Sequence, residues 1–206
     1  KKKAMKYYKM SADFGSTDSM LTYGQFLQKG EFVERNEKEA SNYFKMAADK
    51  GNEKAMLIFG EMLYNGTGIE INKKEASQYY YLCAEKGNIE AMHRYGSMIY
   101  FGDGIDQDEE VGSKYIQKAA DLDHIESNYQ LGNILYKTNK KQEASFHYKK
   151  AADKGNVDSM LHYGLMLYNG DGIDINKKEA AVYFQKASNR GNMKAASLIA
   201  NMLFDG

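Results

Sequence analysis

The chain has 206 residues, with 28 Lys and Arg against 28 Asp and Glu, so it lacks the strongly basic balance of an ordinary nucleic-acid binder. It has none of the ~18-residue apolar runs a membrane-spanning helix needs. No apolar leader follows Lys1-Lys2-Lys3-Ala4-Met5, and a lone cysteine cannot close an internal disulfide. The expectation is a cytoplasmic chain without membrane insertion.

The rest of the composition is odd: no Pro, no Trp, 17 Tyr, 19 Gly and 12 Met. The oddity is periodic. Gly15-Ser16, Gly51-Asn52, Gly87-Asn88, Asp123-His124, Gly155-Asn156 and Gly191-Asn192 fill one slot at steps of 36, 36, 36, 32 and 36 residues. A fixed period of this size marks a repeat architecture. Six units cover the chain, at about 1–32, 37–68, 73–104, 109–137, 141–172 and 177–206. The short step is a deletion, because Tyr64 to Ala76 is 12 residues whereas Tyr136 to Ala144 is 8.

Each unit reads as a helix A followed by a helix B. In the second unit Ala40, Tyr43, Phe44, Ala47 and Ala48 share one face at helical spacing. Gly51 then ends helix A and Asn52 caps helix B. Helix B carries Ala55, Met56, Phe59, Gly60 and Leu63 on one stripe, and Gly66-Thr67-Gly68-Ile69 closes the unit as a turn. Asn36–Glu39, Asn72–Glu75 and Asn176–Glu179 read as Asn-headed capping boxes that start the next helix A.

Helix B holds Gly24, Gly60, Gly96, Gly132 and Gly164 in register, then Ala200. A Gly inside a helix costs about 1 kcal/mol relative to Ala, so the column needs a compensating cause. The small columns of helix A (Ala47, Cys83, Ala119 and Ala151, with Ala48, Ala84, Ala120 and Ala152 beside them) suggest small packed against small. On that reading the rings Tyr7, Tyr43, Tyr79, Tyr115, His147 and Tyr183 fill the space between units. The expected fold is all-α, a right-handed α-solenoid of six antiparallel helix pairs.

The pattern Ala40-x-x-Tyr43-Phe44-x-x-Ala47-Ala48-x-x-Gly51-Asn52-x-x-Ala55-Met56-x-x-Phe59-Gly60-x-x-Leu63-Tyr64-x-Gly66-x-Gly68-Ile69 resembles the Sel1-like repeat, a relative of the tetratricopeptide repeat. The resemblance covers the whole chain. Unit 1 departs from it with Gly30-Glu31-Phe32 in place of Gly-x-Gly, and unit 4 lacks that loop. Neither end shows a polar capping face, so the chain reads as a piece of a longer protein. The resemblance implies an adaptor for protein or peptide partners. Alternatives are a regulatory or substrate-recruiting module of a larger enzyme, such as a kinase or ubiquitin ligase, and a structural spacer in a cytoskeletal or other large assembly.

No motif points to chemistry. The Gly-x-Gly turns lack the strand and the spacing of a phosphate loop. From Asp106, the acidic run does not place the Gly and Glu that a calcium loop needs, and Asp108 reads as a helix cap. The four histidines show no ligand spacing. Cys83 sits in a small-residue column as a buried apolar side chain, and the Met columns fill the core. The expectation is no enzyme, no cofactor and no metal.

One column varies in a directed way. The residue before the Ala-Ala pair is Met10, Met46 and Leu82 in the first three units, then Lys118, Lys150 and Lys186. Tyr81 adds to the apolar side and Lys114 and Lys149 to the basic side, with Phe146 an apolar exception. If helix A lines the groove, the expected partner surface is apolar at its N-terminal end and basic at its C-terminal end. A segment with hydrophobic anchors and acidic residues would match it.

Overall fold

The computed structural model describes residues 2–204. Among them are twelve α-helices and no strand. They are α1 (Lys2–Asp13), α2 (Thr17–Lys29), α3 (Glu37–Asp49), α4 (Glu53–Asn65), α5 (Lys73–Glu85), α6 (Ile89–Phe101), α7 (Glu109–Asp121), α8 (Ile125–Lys137), α9 (Lys141–Asp153), α10 (Val157–Asn169), α11 (Lys177–Asn189) and α12 (Met193–Phe204). The fold is all-α, built from six helix pairs. The chain divides into two compact units, Lys1–Gly112 and Ser113–Gly206, and each is described by itself.

Side chains start the helices as their sequence suggests. Asn52, Asn88 and Asn156 accept the backbone N–H three residues on, satisfying a donor that the first turn leaves open. His124 does the same through Nδ1, which accepts from the Ser127 amide at 3.2 Å. Asn36, Asn72 and Asn176 accept from the Glu three residues on, and their side-chain amides donate back to that Glu carboxylate. The box therefore closes side chain to side chain. Asp108 caps α7 by accepting from the Val111 amide at 2.9 Å. Lys140, where the deletion falls, makes no side-chain cap hydrogen bond before its helix.

The Gly-x-Gly turn has two causes. Gly66 ends α4 in the left-handed region at φ 75°, where a side chain is disfavoured. Gly68 (φ 73°) is both left-handed and crowded, since a Cβ there would lie 2.6 Å from Glu37 at the start of the preceding helix A. In unit 1, Phe32 takes the second glycine's place and still adopts φ 65°.

The glycine column is where the structure corrects the sequence reading. Gly24, Gly60, Gly132 and Gly164 face the next unit's ring, and not the small columns of their own helix A. A Cβ on Gly24 would meet Phe44 at 2.7 Å, on Gly60 Tyr80 at 2.8 Å, on Gly132 Tyr148 at 2.7 Å and on Gly164 Phe184 at 2.6 Å. Each ring is buried and seated against bare backbone. The column read as gap filler makes edge-to-face pairs, Tyr23 with Tyr43, Phe59 with Tyr79 and Tyr163 with Tyr183, at ring centroids 4.9–5.0 Å apart. The broadest helix contacts follow: α2 on α3, α4 on α5, α8 on α9 and α10 on α11 join neighbouring units.

Candidate partner-binding site

Successive A helices are tied by a three-member chain of hydrogen bonds. In Lys1–Gly112, Lys45 Nζ donates to Tyr79 Oη at 3.0 Å, and Tyr79 donates to Asp49 at 2.6 Å. In Ser113–Gly206, Lys149 donates to Tyr183 at 3.0 Å, and Tyr183 to Asp153 at 2.6 Å. Burial, and then the Asp153 carboxylate, push the Tyr183 hydroxyl up to about 12. These chains tie α3 to α5 and α9 to α11.

The apolar column stands on α1, α3 and α5. Met10, Met46, Tyr81 and Leu82 are 42%, 43%, 40% and 49% exposed. Tyr81 packs its ring 5.1 Å from Tyr95, which steadies one end of the row.

The basic column stands on α7, α9 and α11, and its charges are more engaged than the sequence suggests. Lys118 lies over the Tyr115 ring at 4.8 Å and Lys186 over Tyr183 at 4.9 Å. Lys150 pairs with Asp123 at 2.7 Å, and Lys154 joins the same carboxylate at 3.0 Å. These two lysines hold Asp123 below the usual carboxylate range. Lys149 occupies the place of Lys45 and is a member of the chain above. Lys114 is exposed, and Phe146 is exposed with Lys150 5.6 Å from its ring. Lys186 also borders a recess of about 290 Å3 with Arg190, Asn189, Asp153 and Met160.

The sequence reading missed a second recess, of about 320 Å3, between α4 and α6. Four rings wall it: Tyr64, Tyr80, His93 and Phe101. Arg94 lines it while its Nε donates to Glu90 at 2.6 Å. Asp103 sits at the rim, accepting from Lys73 at 2.5 Å and from the Tyr64 hydroxyl. Those two hydrogen bonds, Lys73 first, hold its carboxyl below the usual range. The available signal was a break in the repeat. Arg94 replaces Ile58 and His162, Ser97 replaces Glu61 and Leu165, and Phe101 replaces Asn65 and Asn169.

His147 is a third departure. It is buried, and its Nδ1 lies 3.0 Å from Asn128 Oδ1. Asn128 stands in a Met column and spends its amide on the Ala120 and His124 carbonyls. Burial holds the imidazole below its usual 6.5. Cys83 is buried, and burial pushes its thiol up to about 11. That is the wrong direction for a nucleophile. Among the described residues no group of three or more His, Cys, Asp or Glu is placed to hold a metal ion, and no helix is long and apolar enough to cross a membrane.

The Sel1 repeat profile matches residues 1–16, 17–52 and 157–192, and a profile of plant tetratricopeptide repeats matches 69–148. Together with the helix pairs, this decides the family. The chain is a Sel1-like repeat protein. It is similar to c5321, a protective antigen of uropathogenic Escherichia coli with an SLR fold, at TM-score 0.92 and 24% identity over 100% of this chain and 45% of that one. It is also similar to a Sel1 repeat protein of Oxalobacter formigenes, at TM-score 0.83 and 25% identity over 97% and 59%. The Sel1-like chain thus spans about half the length of these two relatives. YrrB, a tetratricopeptide-repeat protein, shares the fold at TM-score 0.59 and 17% identity over 93% and 96%. No curated protein sequence matches the chain.

Proposed function

We propose that this Sel1-like chain is a protein-interaction module that binds an extended peptide segment of a protein partner across α1, α3 and α5. Sel1 and tetratricopeptide repeats generally serve as interaction scaffolds, and YrrB is described as having an unusual peptide-binding site. The observation that carries the proposal is the exposure of Met10, Met46 and Leu82 at one helix position in three consecutive units. Packed helices lie about 8–10 Å apart, and an extended chain advances about 3.3 Å per residue. Apolar anchors three residues apart would therefore match the row. Acidic residues of the partner would meet Lys118 and Lys186, contacts that act mainly on association rate and salt dependence.

The test uses the partner recovered by capture with this chain. Met46→Lys combined with Leu82→Lys should weaken binding at least tenfold, and Lys118→Gln with Lys186→Gln should flatten its salt dependence. Lys150 stays in place because it holds Asp123. Wild-type binding by both double variants would overturn the proposal.

A further inference from the structure

The recess between α4 and α6 lies apart from the helix-A row, and the repeat supplies a guide to what fits it. In Ser113–Gly206 the place corresponding to Arg94 is held by His162. Its imidazole stacks on Tyr148, with centroids 5.2 Å apart and planes 26° apart, and Tyr129 stands edge-on to it at 5.9 Å. This position of the repeat therefore accommodates a flat ring packed on a tyrosine. In Lys1–Gly112 the corresponding tyrosine is Tyr80, and its neighbour Arg94 is turned to Glu90. Where the other unit has Leu165 and Asn169, this one has the smaller Ser97 and the ring of Phe101, which is 62% exposed at the lip.

The charges at the recess do not select an ion. Arg94 is matched by Glu90, and Asp103 by Lys73. The rings and the guanidinium remain, and both favour the face or edge of another aromatic ring. The volume of about 320 Å3 stands at the bottom of the range for ligand sites, room for one ring system and not for a nucleotide cofactor.

We infer that the α4–α6 recess is an anchor pocket for a single aromatic side chain presented by a protein partner. It takes the ring over Ser97, between Phe101 and Arg94 and beside Tyr80; in the other unit His162, Leu165 and Asn169 stand at the places of Arg94, Ser97 and Phe101. The inference rests on the interaction-module reading only for how the ring is delivered, because the pocket can be tested without any partner.

N-acetyl-tryptophanamide is the probe, since the chain has no Trp and the indole signal belongs to the probe alone. Titrating the protein into the probe should raise its fluorescence anisotropy along a saturating curve, with a dissociation constant on the order of 1 mM for so small a ligand. Ser97→Leu combined with Phe101→Asn, and separately Arg94→His, install residues the same fold already carries elsewhere. Each should weaken the probe at least tenfold with the helical circular dichroism intact. Leu82→Lys, on the helix-A row, should leave it unchanged. Wild-type affinity in both recess variants, an equal response to N-acetyl-leucinamide in competition, or no saturation would overturn the inference. A probe that binds while partner binding ignores the helix-A variants would sink the first proposal and leave this one standing.

Discussion

Tyr80 in Lys1–Gly112 and Tyr148 in Ser113–Gly206 occupy the same place in the repeat, each seated on a helix glycine at Gly60 and Gly132. Their surroundings differ. Tyr148 donates to Asn133 at 2.8 Å and is covered by a stacked His162, whereas Tyr80 borders an open recess beside an arginine tied to Glu90. The repeat sets the backbone and the seat of the ring. Three side chains on helix B decide whether the place beside it is filled or open to a ligand. Binding capacity in such a fold can thus be gained or lost without disturbing the stack.

The strongest way to break this comparison is to attack what both places share. Gly60→Leu or Gly132→Leu should overpack the ring seat and cost about 1–3 kcal/mol or more, read as a lower denaturation midpoint. Gly→Ala at either position is the sharper test. Helix propensity alone predicts a gain of about 1 kcal/mol, but the new Cβ would lie under 3.0 Å from a buried ring, so a loss is expected. A gain would show that the glycines do not set the seat. Next in size is His162→Arg, which copies the open place into the filled one. Losing the stack should cost about 0.5–1.5 kcal/mol in thermal unfolding, and unchanged stability would mean the ring merely covers Tyr148.

The third test contrasts two joints. Tyr79 is held by Lys45 and Asp49, while His147, in the same column, is held by Asn128. Lys150, Asp121 and Glu143 are the charged groups acting on the imidazole. Its proton affinity is lowered on folding, so its contribution to stability is complete above 6.5 and is lost as pH falls below that value toward the folded-state pKa. His147→Tyr with Asn128→Met restores the repeat pattern and should flatten the stability–pH curve below 6.5. An unchanged slope there would locate the acid sensitivity elsewhere. The smallest effect is expected from Met46→Lys with Leu82→Lys. Both side chains are exposed, so stability should move by no more than about 0.5 kcal/mol. A larger loss would show that the row packs within the protein and is not a docking surface.

Most of the architecture is legible in the sequence, because it is encoded locally. Caps such as Asn52 and Asn72 act within three residues, Gly66 answers a backbone dihedral at its own position, and the helical stripes follow from spacing along one helix. Cys83 and the Met columns could be assigned to the core for the same reason. What a stripe faces is not local. The glycine column showed that something must come close, but only the packing of one unit on the next revealed that Phe44, Tyr80, Tyr148 and Phe184 do so. Lys149 read as part of the basic side because Tyr183, which accepts its hydrogen bond, belongs to another helix, although Asp153 lies only one turn on along its own. The α4–α6 recess arises where Arg94 turns to Glu90 and Ser97 leaves space beside Phe101. A sequence column records which residues vary, whereas an opening depends on rotamers and on neighbours from two units at once, and only the tertiary structure brings these together.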